Sequence, residues 1–115
     1  MNEQWKHIRF ADMDLLDLGN GFLGGNLIEL DHFELTFVKG EKGSGHGFHH
    51  HDDLDEILIF LEGACVFNIS GTEIDVEGGS VLFVPHGLDH KVRYKTKSSV
   101  LRIKISNQKP SSEKG

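Results

Sequence analysis

Apolar and polar residues alternate along most of the chain with the period of a strand, and helical spacing is nearly absent. The pattern is clearest at 33–38. There Phe33, Leu35 and Phe37 alternate with Glu34 and Thr36, which predicts a strand with one face buried. A strand at 27–30 precedes it. Residues 56–61 form a nearly continuous apolar run that Gly63 breaks. Segments 65–70 and 72–76 flank Ser70-Gly71, a tight hairpin turn, and Gly78-Gly79 makes the next one. A buried strand at 80–84 ends at Pro85 and Gly87, and strands at 90–94 and 100–105 follow. Residues 39–47, glycine-rich and polar, read as a loop. Residues 1–25 are mixed, and are expected to add one or two edge strands or a short helical turn around 11–16. Residues 107–115, rich in Ser, Lys and Pro, are expected to be a disordered tail.

Short strands joined by glycine turns predict an all-β fold, a sandwich or barrel, because closing the sheet removes exposed edges. A chain of 115 residues suits a single domain over 1–115, with a barrel core at about 27–105. Eighteen acidic residues against twelve basic ones argue against nucleic acid or an anionic membrane as the main partner. No apolar run approaches the roughly 20 residues of a membrane helix, and the first six residues lack a signal-peptide core. Cys65 is the one cysteine, so no intrachain disulfide forms, and a reduced cytoplasmic setting is expected. Within its strand Cys65 reads as a small core residue rather than a nucleophile.

Eight histidines change the picture, three of them at His49-His50-His51. Residues i and i+2 of a strand share a face, so His49 and His51 project together, about 6.6 Å apart at Cα, and His50 points away. Glu56 lies far enough along to return from a turn toward the same point. His90, at the start of another strand, supplies a fourth group from elsewhere in the fold. Three neutral imidazoles and a carboxylate suit one divalent ion of Fe, Mn, Ni, Co, Zn or Cu. They suit Ca or Mg poorly. Four such donors leave two positions open on a six-coordinate ion.

The spacing runs Gly43-x5-His49-x-His51-x4-Glu56-x6-Gly63 and resumes as Gly79-x5-Pro85-x-Gly87-x2-His90. It resembles the two signature motifs of the cupin superfamily, in its small single-domain form, directly over 43–94. The resemblance implies a double-stranded β-helix, the cupin jelly-roll barrel, with a metal held by His49, His51, Glu56 and His90. The family's final Asn is Tyr94 here. That Asn is not a ligand, so the departure bears on the pocket beside the metal.

Alternation from His90 places Val92 and Tyr94 inside and Lys91, Arg93 and Lys95 outside. Tyr94 then either offers its hydroxyl to a substrate as a catalytic group or is simply a packed aromatic. Alternation from Glu56 places Leu58 and Phe60 inside, with Ile57, Ile59 and Leu61 opposite. A strand apolar on both faces is covered on both, which predicts a homodimer. His46 and His86 read as loop residues or as neighbours of the ligands, and Asp52, Asp53 and Asp55 as a solvated turn. The expected activity is metal-dependent chemistry on a small organic molecule, of dioxygenase type, with Glu56 also able to act as a base. The alternatives are a non-redox isomerase, lyase or cyclase using the metal as Lewis acid, and a binding or sensing barrel without turnover. Residues 1–25 are too short and glycine-rich for a DNA-binding helix-turn-helix. A sugar-processing member is disfavoured, since Arg102 is the one basic pocket candidate.

Overall fold

Ser70 and Gly71 both take positive φ, 49° and 95°, and Ile69 pairs with Thr72 across them. That is the two-residue hairpin whose backbone matches the right-handed strand twist. Such turns organise the computed structural model, which describes residues 5–106; the tail expected at 107–115 lies outside the described residues. A short 3-10 turn, Phe10–Asp12, precedes ten strands: β1 (Leu16–Gly19), β2 (Phe22–Leu30), β3 (Phe33–Gly40), β4 (Gly45–His49) and β5 (Leu54–Glu62). Then come β6 (Ala64–Ile69), β7 (Thr72–Glu77), β8 (Ser80–Val84), β9 (His90–Tyr94) and β10 (Ser98–Ser106).

The strands form two antiparallel sheets, ordered β1-β2-β3-β10-β5-β8 and β4-β9-β6-β7. Their inner faces pack together as the expected all-β jelly roll. Along β5, Glu56, Leu58 and Phe60 are buried, and along β9 so are His90, Val92 and Tyr94, while Lys91, Arg93 and Lys95 are exposed. Phe60 meets Phe67 of the other sheet edge-on, with ring centroids 5.8 Å apart. Each ring so buried contributes about 1.5–3 kcal/mol. Cys65 is fully buried in this core, and burial pushes its thiol up to about 12, which fits an inert packing residue.

Two boundaries differ from the sequence reading. The loop expected over 39–47 shrinks to 41–44, because β3 runs on to Gly40 and β4 begins at Gly45. Gly45 is there for close strand approach: a Cβ would press on the Arg93 Cα at 3.0 Å. Among the described residues, 5–25 supply β1 and the first part of β2, with a helical turn at Phe10–Asp12 rather than across 11–16. The Phe10 ring stacks on Phe37 at 4.4 Å and covers one end of the six-stranded sheet's outer face.

Two neighbouring rows of that outer face are apolar. Cross-strand register lines up Phe83, Ile57, Ile103 and Leu35 in one row, and Val81, Ile59, Leu101 and Phe37 in the next. Ile57 and Ile59 are half-buried, whereas Val81 is 63% and Phe83 56% exposed. Among the described residues no helix is long and apolar enough to cross a membrane.

Candidate metal centre

The two sheets bring four side chains to one point. β4 ends at His49, β9 begins at His90, and these two residues are register partners in the smaller sheet. Glu56 reaches in from β5 of the larger sheet, and His51 sits on the connection between β4 and β5. His49 and His51 therefore do not share a strand as the i, i+2 argument assumed: β4 stops at His49. Their rings still converge, with centroids 5.2 Å apart.

One donor atom from each of His49, His51, Glu56 and His90 lies within 4.8 Å of the other three. Glu56 Oε1 stands 3.3 Å from His90 Nε2 and 3.8 Å from His51 Nε2. A tetrahedral shell with bonds of about 2.1 Å spaces its donors about 3.4 Å apart. The donor set and its spacing thus fit one small divalent ion. His90 Nδ1 lies 3.0 Å from the Leu88 carbonyl oxygen. A carbonyl only accepts, so Nδ1 carries a proton, and Nε2 is the nitrogen that faces Glu56 and would ligate a metal.

The Pro85-x-Gly87 turn is fastened to the other ligand-bearing segment. Gly87, at φ 85°, donates its N–H to the His51 carbonyl at 2.7 Å. His86 donates its backbone N–H to Asp55 Oδ1 at 2.8 Å, and its Nδ1 lies 2.9 Å from the same oxygen. Asp55 is thereby corrected: it belongs to β5 and anchors His86, while Asp52 and Asp53 sit exposed in the bend. The His86 contacts hold the Asp55 carboxyl below its ordinary value. His50 points away as expected, and its Nδ1 lies 2.8 Å from Asp89 Oδ1 beside His90. His46 lies on strand β4 rather than in a loop, and is a neighbour of the cluster: its ring packs 4.1 Å from that of His49.

Burial and the neighbouring rings hold His49 down at about 4. Burial likewise lowers His46 and His51, so these rings are neutral and able to ligate near pH 7. Burial pushes the Glu56 carboxyl up, but the His90 hydrogen bond and the charges of His51, His90 and Arg102 together bring it below its ordinary value. The Glu56 hydrogen bond raises His90.

The centre opens into a cavity of about 280 Å³. Leu58, Phe60, Phe67, Val92 and Val100 give it an apolar wall. Tyr94 lines it too, 5% exposed, with burial pushing its hydroxyl well above the ordinary range, so the phenol stays protonated. Leu18 and Phe22, from strands the sequence left unresolved, and Asn20 of the turn between them complete the lining. So do Arg102 and Lys104, side by side on the inner face of β10. Lys104 was missed in sequence; the signal available was the period-two step from Val100 to Arg102 to Lys104.

Comparison with known proteins matches residues 34–103 to the sequence profile of the cupin domain. No curated protein matches the chain in sequence. The structure is similar to KdgF from Halomonas sp., at TM-score 0.81 and 17% identity, over 95% of this chain and 99% of that one. It is similar to a predicted oxalate decarboxylase from Thermotoga maritima, at TM-score 0.80 and 21% identity, over 88% and 99% of the two chains. It is similar also to an RmlC-like cupin from Shewanella frigidimarina, at TM-score 0.77 and 22% identity, over 95% and 97%.

Proposed function

The chain belongs to the cupin family, and on that premise we propose that it is a metal-dependent enzyme acting on a small organic molecule, by dioxygenation in the first reading. The observation that carries the proposal is the convergence of His49, His51, Glu56 and His90 within 4.8 Å at the wall of an apolar cavity. When bound, a divalent ion supplies Lewis-acid polarisation and, if it is iron, electrons for oxygen chemistry. The remaining work falls to the chain. The three imidazoles and Glu56 would hold the ion, and the cavity beside them would give a substrate access to it. Leu58, Phe60 and Val92 exclude water from the reacting atoms. Tyr94, held protonated, is able to donate a hydrogen bond to a substrate oxygen. Glu56, ionised near neutrality, is able to accept a proton at its carboxylate.

The cations Arg102 and Lys104 beside the centre favour a second reading, non-redox isomerase, lyase or cyclase chemistry, in which they stabilise negative charge developing on the substrate. Oxygen consumption decides between the two. Iron-loaded protein supplied with chelating hydroxy- and keto-acids takes up oxygen in the first reading. Turnover under strict anaerobiosis establishes the second, and neither response with any divalent ion refutes catalysis at this centre and leaves a binding barrel.

A further inference from the structure

Arg102 and Lys104 are two residues apart on β10, so both side chains point into the barrel, opposite Leu58 and Glu56 of β5 in register. Their position is costly. The Arg102 Nε is shut off from solvent and has no hydrogen-bond partner. Lys104 stands directly across from Glu56, yet the two make no ion pair, because the carboxylate turns to His51 and His90. Among the described residues neither cation has an ion-pair partner. Lys104 also stands across from Glu34 of β3 and feels its charge together with that of Glu56, whereas Arg102 adds a further positive charge beside the centre, in a chain whose formal charge is −6. With a divalent ion at the centre the surroundings carry an excess of positive charge. Both side chains are half-buried, and a guanidinium nitrogen with neither solvent nor partner is unfavourable, so the arrangement suits an anion that arrives from outside.

We infer that the cavity takes a small organic acid whose carboxylate seats on Arg102 and Lys104, with its apolar body against Leu58 and Phe60 and its far end toward the His49–His51–Glu56–His90 group. The guanidinium fork matches a carboxylate with two parallel hydrogen bonds, and the ammonium adds a point charge. The volume, about that of nine liquid waters, limits the acid to small-molecule size. The inference rests on the reading of this cavity as the substrate chamber, and it names the class of substrate.

The test compares benzoate with benzamide, its neutral counterpart of the same shape, by calorimetry on full-length protein, cobalt-loaded and metal-free. Wild type is expected to bind benzoate at least about tenfold more tightly than benzamide. Arg102→Met and Lys104→Met each lower benzoate affinity about tenfold and leave benzamide unchanged. Arg102→Met keeps the apolar stem while removing an unpaired charge, so its melting temperature is expected to equal or exceed that of wild type. A lower one would mark a packing role instead. Equal binding of the two probes, no binding of benzoate at millimolar concentration, or undiminished benzoate affinity in both folded variants overturns the inference. Metal content by plasma mass spectrometry separates the two readings. Benzoate preference in protein that fails to retain cobalt after loading sinks the metal centre alone, whereas bound cobalt without the preference sinks the organic-acid inference alone.

Discussion

His90→Ala removes one of four converging donors and a ring only 2% exposed. Zinc held by four side chains gains about 10–16 kcal/mol, so one donor accounts for about 2.5–4 kcal/mol on average. The variant should therefore bind zinc about 10²–10³-fold more weakly. A second effect appears without metal. Glu56, 6% exposed, loses the partner 3.3 Å away, and a buried carboxylate without its hydrogen bond costs about 1–3 kcal/mol. Competition against a chromophoric zinc chelator gives the affinity, and circular dichroism with chelator present shows that the variant is folded. His50→Ala, whose ring points to Asp52 and Asp89, is the control and should bind zinc within a few-fold of wild type. If folded His90→Ala also binds within a few-fold of wild type, the four-donor centre is wrong.

Metal-free protein should be most stable near pH 6.5. Below that value the unfolded chain takes up protons that His46, His49 and His51 resist, so stability falls toward pH 4. Above it, the contribution of the raised His90 is lost as pH climbs through its folded value. Urea midpoints with chelator present that rise steadily from pH 5 to pH 8 would contradict this. Gly63→Ala should cost about 1–3 kcal/mol, because φ is 95° and a Cβ meets the Ser98 side chain and, at 2.6 Å, the Lys97 carbonyl oxygen. Gly43→Asn, at φ 86° with open space around it, should cost much less, and equal melting temperatures for the two would undo the steric argument. We propose that a second copy of the chain covers the Val81–Phe83 face as a two-fold dimer, since an uncharged edge strand with two exposed apolar side chains is otherwise a hazard. Light scattering should give twice the chain mass for wild type and one chain mass for the Val81→Lys, Phe83→Lys double variant; a wild-type monomer excludes it.

The barrel was legible because its inner faces obey period two. Glu56, Leu58 and Phe60, and His90, Val92 and Tyr94, fall inside where alternation places them. The four donors were legible because glycine and proline spacing records backbone geometry, as Gly87 shows by its positive φ and its bond to His51. Polarity misled elsewhere. The glycines at 43–47 read as loop, whereas Gly45 permits close strand contact. On β10 the apolar set Leu101, Ile103 and Ile105 looks like the core face, but it lies on the outside, and Arg102 and Lys104 turn in. Period alone cannot say which face is the core when both are covered or when the inner one serves a ligand.

β10 sits in the middle of the six-stranded sheet, between β3 and β5, although it follows every other described strand in the chain. During synthesis β3 and β5 therefore emerge long before the strand that joins them. Until it inserts, each offers an unpaired apolar edge, a template for aggregation that folding must outlast or a chaperone must cover. Closure waits on contacts far apart in sequence, so a slow final step is expected. The same step delivers Arg102 and Lys104, which makes the charged wall of the cavity the last part of the described barrel to be built.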